Sequence, residues 1–417
     1  MTTRCSGSAP RGQRGAAALA VTMVLLFCMT LVAFFVNRGL LFEQRTSANQ
    51  YRATRAFEVA EAGVEWATAM LNDLRLIDDQ CVASGAGAAS FRGRYAPHDV
   101  AYNITPPANA RASCRIELGV LTCHCPAAGT APSAYSAPEH PQFTVEIADE
   151  PGDPEAVRVA SWACLNRASA CVPGATGAGD ATAVVRATLK LRATLRAAPA
   201  APLTAGRDAA IGNMSIINED AASNGFLINA GGAISGTLTP PQLQSLPGTP
   251  IQAALIEDDA SLLALADADV SGDAVFQAFF GARLSRFQSA PTTYVVTGGG
   301  AAANGSSVVA AYALGQRSFY VDGDVALSTG VLGTAAEPVT IVATGNVTLG
   351  NTLNGLVFSA QGTWSTGTSP IINGAVVAAD NYTNTGIGTL TYDPVVLRNV
   401  RLDTGVLVRV PGSWRDF

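Results

Sequence analysis

At 417 residues the chain is long enough for two packed domains beyond any anchor. Only 14% of residues are charged, the net charge is −6 and Lys190 is the sole lysine, so nothing supplies a basic footprint for nucleic acid. Glycine is abundant at 41 residues, and of eight cysteines Cys5 and Cys28 stand near the N-terminus while six lie beyond residue 80.

From Gly15 to Asn37 no residue is charged, and Arg4, Arg11 and Arg14 precede this run without an acid among them. A helix of about 21 residues rises roughly 31 Å, enough to cross the hydrocarbon core of a bilayer. The basic flank predicts that the N-terminus stays in the cytoplasm and that everything after Arg38 is exported. A cleaved secretory signal fits poorly: the apolar core is too long, and Val36-Asn37-Arg38-Gly39 is a poor cleavage site. The helical pattern continues past the span without a break. Phe57, Ala60, Val64, Ala67, Leu71 and Leu74 recur at alternating spacings of three and four, which predicts one packing seam. Arg52, Arg55, Glu58, Glu61, Glu65 and Arg75 occupy the other faces and read as solvated.

Two stretches flank this composite helix in a particular way. Arg11-Gly12-Gln13-Arg14-Gly15-Ala16-Ala17-Ala18-Leu19 leads into it, and Arg52-Ala53-Thr54-Arg55-Ala56-Phe57-Glu58-Val59-Ala60-Glu61-Ala62-Gly63 continues it. Together they resemble the N-terminus of type IV pilins, in detail the PilX-type pilus assembly proteins, a minor pilin group. The resemblance implies a leader, 1–15, that a prepilin peptidase removes between Gly15 and Ala16. It implies a transmembrane half, 16–36, an amphipathic half, 37–77, and assembly with other pilins and minor pilins from the inner membrane. Major pilins carry Glu as the fifth mature residue; the matching position here is Ala20.

Residues 78–110 are rich in Gly, Ala, Ser and Pro and read as loops. Period-two alternation then marks strands at Arg115–Leu118, Phe143–Ile147, Val157–Trp162 and Ala183–Arg192. The expectation is an α+β head over 78–196, with the long helix laid on an antiparallel sheet. Cys81, Cys114, Cys123, Cys125, Cys164 and Cys171 fall in this exported part and suggest up to three disulfides, of which Cys164 with Cys171 is the most plausible local loop. Cys123-His124-Cys125 lacks the paired CxxC spacing of a zinc site, so these too read as disulfide cysteines.

Residues 197–205, AAPAAPLTA, read as a linker. Beyond it the texture changes to short apolar triplets between Gly, Asn, Asp and Thr. Gly323-Asp324-Val325-Ala326-Leu327 recurs 22 residues later as Gly345-Asn346-Val347-Thr348-Leu349, and Asn354-Gly355-Leu356-Val357-Phe358-Ser359-Ala360 recurs 19 later as Asn373-Gly374-Ala375-Val376-Val377-Ala378-Ala379. A loose period near 20 predicts a Gly-rich all-β, β-solenoid-like domain over 206–417, with a β-sandwich as the alternative. A helical insertion is expected at about 250–290.

Nothing in the sequence assembles into a catalytic or cofactor motif. His98, His124 and His140 stand in loop-like, Pro- or Cys-flanked stretches, and no GxSxG, HExxH, Walker or dinucleotide pattern is present. Asp267, Asp269 and Asp273 lack EF-hand spacing, and Asp322-Gly323-Asp324 reads as a turn. Residues 338–392 hold Asp380 as their one acid and no Arg or Lys, unlike the clustered carboxylates of a glycosidase. The expectation is a non-enzymatic assembly protein without cofactor or metal, which touches pilins, the inner membrane, the prepilin peptidase and a surface or host ligand. A type II secretion pseudopilin and a tethered carbohydrate-binding or carbohydrate-cleaving protein are the rival readings.

Overall fold

The computed structural model of the protein describes residues 14–416 apart from 88, 100–102, 128–129, 131–139, 166–170, 172–180, 329, 362–363 and 367–368. Residues 1–13 of the expected leader lie outside the described residues.

Helix α1, Arg14–Asn72, runs unbroken for 59 residues, about 88 Å at the α-helical rise. No proline interrupts it and no charge falls between Gly15 and Asn37, and Thr22 and Thr30 turn their hydroxyls onto the carbonyls of Leu19 and Phe27. The second half lies on a six-stranded antiparallel sheet. In sheet order its strands are Val406–Arg409, Thr182–Arg192, Ala156–Cys164, Gln142–Asp149, Arg111–Glu117 and Val120–His124. The shared core joins Val64, Ala67 and Leu71 of the helix to Val145, Val159, Val185 and Leu189 of the sheet. The first of these strands comes from the C-terminus, so the head is completed only after the rest of the chain has been traced. Helix α2, Phe91–Tyr95, is capped by the Ser90 hydroxyl and adds two buried aromatic rings to this core.

After the head the strands become short and parallel. Leu203–Ala205, Ala209–Ala210 and Ser215–Ile217 form one coil, and strand Leu203–Ala205 falls inside the stretch expected to be a linker. On one side of this coil stack Ile228–Ala230, Ile234–Ser235 and Leu243–Gln244, and beyond them Leu255–Ile256. On the other side, far ahead in sequence, stack Ile371–Ala378, Tyr382–Thr383 and Thr389–Thr391. Farther out on that side lie Thr352–Ser359, then Val339–Ala343, Ser318–Val321 and Thr293–Val296. The chain therefore starts in the middle of the stack and builds to one edge. Helices α3, Ala260–Ala268, α4, Asp273–Phe280, and α5, Leu284–Gln288, then carry it to the opposite edge. From there it returns coil by coil until the last full coil closes on the first.

The sequence repeats stack on one another. Val325 pairs with Val347, and Asn354-Gly355 pairs with Asn373-Gly374, at the offsets of 22 and 19 residues. The Asn373 amide donates to Asn354 Oδ1 at 2.9 Å, and the Asn354 amide donates to the carbonyl of Gly333. The repeats are continuous apolar runs because both faces of their strands are covered. Val357, Val376 and Ala378 point into the coil interior. Leu356, Phe358, Ala375 and Val377 point outward, where Phe276, Phe280 and Phe287 of α4 and α5 cover them together with Leu397 and Val400 of a later helix, Pro394–Asp403. The outer helices thus bury a second apolar sheet face.

Two helices lie outside the expected insertion. Helix α6, Ala301–Ala313, buries Val308 and Ala311 against the coil interior. Helix α7, Pro394–Asp403, begins with the Asp393 carboxylate accepting from the amides of Val395 and Val396 and has Pro in its first turn.

Close stacking makes one prediction about the repeats. A Cβ on Gly374 would stand 2.0 Å from the carbonyl oxygen of Gly355. Gly374→Ala should destabilise the stack by roughly 1–3 kcal/mol, the cost of overpacking a rigid interior. Urea unfolding of the protein and its variant checks this; an unchanged midpoint would contradict the stacking register.

Candidate functional site

The chain presents two candidate sites, an uncovered helix and a polar junction where head and stack meet. From Ala17 to Arg55 every side chain of α1 that is described is exposed; the first buried one is Ala56. The exposed set includes thirteen large apolar residues between Leu19 and Val36. By length and composition this helix can cross a membrane. Cys28 lies within it as a free thiol. Gly15 and Ala16 belong to its first turn by backbone, and their side chains lie outside the described set.

Above Ala56 the helix and sheet approach closely. Gly63 faces the sheet so tightly that a Cβ there would stand 2.2 Å from Ser161 Oγ and 2.8 Å from the Phe143 ring. Of the expected seam, Ala60, Val64, Ala67 and Leu71 are buried on the sheet. Phe57 is half-buried, with its ring edge-on to Trp414 at 5.8 Å, and Leu74 is buried beyond the helix end. Trp66 meets Phe91 and Phe143 at 5.4 and 5.7 Å. Three disulfides brace the head: Cys81 with Cys125, Cys114 with Cys123 and Cys164 with Cys171. Cys114 and Cys123 join opposite residues of adjacent strands, and Cys125 ties the end of that hairpin back to the loop after α1.

At the junction, Asn72 ends α1 as a surrogate strand residue. Its amide donates to the carbonyl of Leu407 at 2.9 Å, and its Oδ1 accepts from the Leu407 amide at 2.8 Å. Arg92 sits beside it, half-buried, donating to the carbonyls of Leu71, Asp403 and Gly405 and to Asn72 Oδ1. One guanidinium thereby joins α1, α2 and the return strand. Burial lowers its pKa to about 10. A cavity of about 300 Å³ opens next to it, with His98, Arg317, Glu337 and Asp403 on its wall. Asp403 Oδ2 is buried without a hydrogen-bond partner, and His98 Nε2 stands 3.6 Å from Oδ1. Burial pushes the Asp403 carboxyl up to about 7; Arg92 and Arg317 oppose that shift and Glu337 adds to it. His98 is pushed down by burial and by Arg92. These groups hold the junction together and present no nucleophile beside a base.

The other acids flagged by the sequence are structural. Arg207 bridges Asp267 and Asp380 at 2.6 and 2.9 Å. Asp269 accepts from Ser271, and Asp273 accepts from the Leu284 amide. Asp322 meets the Thr344 hydroxyl, and Asp324 accepts from the Asn346 amide. His140 stands 3.6 Å from Glu117, and His124 ends the hairpin strand Val120–His124. Among the described residues no group of three His, Cys, Asp or Glu could hold a metal ion. The sequence reading missed Asn72, Arg92 and Asp403. The Asp393-Pro394 helix start was a readable signal for α7, which carries Asp403; nothing local marks Asn72 or Arg92.

Helix α1 thus has a lower, apolar half that its own chain leaves uncovered and an upper half bound to the head sheet. Residues 14–65, most of α1, match the family model described as PilX N-terminal, so this helix is similar to the N-terminal helix of that family. A solved structure, the competence-associated pilin ComZ from Thermus thermophilus, is similar at 11% identity over 88% of this chain and 97% of its own, with a TM-score of 0.22. At that score the likeness carries no argument. No curated protein matches the chain.

The junction yields a pH prediction. The Asp403 carboxyl has a folded pKa above its unfolded value, so its neutral form favours the fold. That stability is fully present below the unfolded pKa near 4 and is lost as pH rises through about 7. Asp403→Asn should therefore gain on the native protein as pH rises from 4 to 8, by on the order of a few kcal/mol. Thermal melts of both proteins across that range check it; a stability difference independent of pH would contradict it.

Proposed function

We propose that the chain is a minor pilin, a non-enzymatic subunit that inserts α1 into a type IV pilus or its initiation or tip complex. The observation that carries this reading is the uncovered apolar half of α1. Thirteen large side chains at about 1.5–3 kcal/mol each cannot stay in water. Lipid can hold them, and so can a bundle of similar helices. The match of 14–65 to the PilX N-terminal model supports the second environment as the destination. On this reading the prepilin peptidase cuts after Gly15, leaving Ala16 as the N-terminus in the inner membrane. The head and stack project into the periplasm and, after assembly, from the fibre, where the stack meets a surface or host ligand.

The parallel ladders support reading 203–392 as a β-solenoid whose helical segment joins its two edges. Ala20 supplies no carboxylate for the new N-terminus of a neighbour, which fits a low-copy component.

Processing and assembly are separable tests. Gly15→Val should leave an uncleaved precursor in the membrane, read by N-terminal sequencing. Deletion of 16–36 should remove the protein from sheared pili while the exported head still folds. Recovery of intact Met1 from cells with active peptidase, or a knockout with normal pili and normal surface behaviour, would overturn the reading.

A further inference from the structure

The connector between head and stack, 193–202, borders two cavities, and arginines stand on both walls. The larger, of about 390 Å³, carries Arg196, Arg398 and Arg401. The smaller, of about 130 Å³, carries Arg192 and Arg286. All five side chains are exposed. Arg196 links the two cavities. Its amide and that of Ala197 donate to the Phe279 carbonyl at 2.8 and 3.1 Å, which pins the connector to the end of α4. A Cβ on Gly281 would stand 3.1 Å from Arg196 Cδ, so the arginine stem lies beside Ala282 of the smaller cavity.

Acids do not balance this charge. Among the described residues Asp220 is the one acid on either wall, and it accepts from the Ser223 amide at 2.8 Å. Arg401 meets Glu155 of the head at 3.5 Å. Among the described residues Arg192, Arg196 and Arg286 form no ion pair. The whole chain has 26 basic residues against 32 acidic ones, so this groove reverses the sign of the protein locally.

We propose that the groove binds an acidic polysaccharide, with its carboxylates on the arginines and its rings along the connector. This gives a chemistry to the surface ligand of the reading above, and it rests on that reading for export of the head. Guanidinium groups pair with carboxylates through two parallel hydrogen bonds and stay charged at physiological pH. From Arg192 to Ala200 the connector spans at most about 28 Å, so the charges are spread along a line, as they are on a polymer of sugar acids. Tyr392, Pro199 and Ala200 add apolar surface to the larger wall, against which the C–H face of a sugar ring can lie.

Other polyanions fit less well. A nucleic-acid duplex carries a charge every ~1.7 Å, and a protein of net charge −6 repels it outside the groove. A single strand needs open ring faces for its bases. Phe276, Phe280 and Phe287 on the smaller wall are buried, and the Tyr392 hydroxyl is held by the Pro199 carbonyl at 3.1 Å. An acidic peptide needs an open strand edge or an apolar groove. Strand Leu203–Ala205 is paired on both sides, and Asn72 occupies the Leu407 amide and carbonyl on the return strand.

The test uses the full-length protein in detergent, with polygalacturonate as the probe and calorimetry as the readout. Neutral galactan should bind at least about tenfold more weakly. Arg196→Gln with Arg398→Gln should weaken polygalacturonate binding about tenfold, while Arg55→Gln on α1 should leave it unchanged. Arg196→Lys with Arg398→Lys keeps the charge and should lose clearly less, which separates loss of the site from loss of the fold. Tighter binding of duplex DNA or of polyglutamate, equal binding of galactan, or unchanged affinity in the glutamine variant would each overturn the proposal. Binding by a protein that cells keep out of the pilus fraction would support the groove and reject the pilus reading. A protein found in pili that fails to bind would reject the groove alone.

Discussion

The apolar half of α1 has no partner within its own chain. A soluble protein would fold such a helix into its core; here the sheet begins at Ala56 and leaves everything before it uncovered. Between Leu19 and Val36 the helix is lined with Leu, Phe, Met and Val, and a largely polar stretch separates these from the contact. At the contact Ala and Gly alternate with Val and Leu, and the small residues let the sheet approach closely at Gly63. The small residues bind the head, and the large ones require an environment from outside the chain.

The head and stack are held together by the path of the chain. The C-terminal strand returns to the head sheet after the stack is complete, and Asn72 and Arg92 fasten that return to the end of α1. A load on the stack therefore reaches α1 through two backbone connections, the 193–202 segment and the 404–406 segment, and through the hydrogen-bonded Arg92 guanidinium. Within the stack, closing the last coil on the first removes two exposed edges from the middle of the sheet. The helices α3 to α5 and α7 cover the outer sheet face and make the bridge between edges part of the core.

Much of this was legible in sequence where the signal was periodic. The three-four seam, the alternating head strands and the two repeats at 22 and 19 residues correspond to contacts in the fold, because local period and burial agree there. Leu203–Ala205 was hidden in an Ala-Pro stretch: its partners lie 25 and 173 residues away, and three residues carry no period. The order of coils was equally hidden, since a stack that starts in its middle has the same local texture as one built end to end. Arg92 is one arginine in a short helix, and its role exists only after three distant segments converge on it. Asp269 and Asp273 lie close in sequence because they flank the junction of α3 and α4, while Asp267 inside α3 is held by Arg207.

The central claim is that α1 exchanges lipid for a bundle of pilin helices. A photo-activated cross-linking residue in place of Leu31, deep in the uncovered half, tests it most directly. Irradiation of sheared fibres should yield covalent adducts between this chain and the helices of pilin subunits. Adducts with lipid alone, and none in the fibre fraction, would contradict the account.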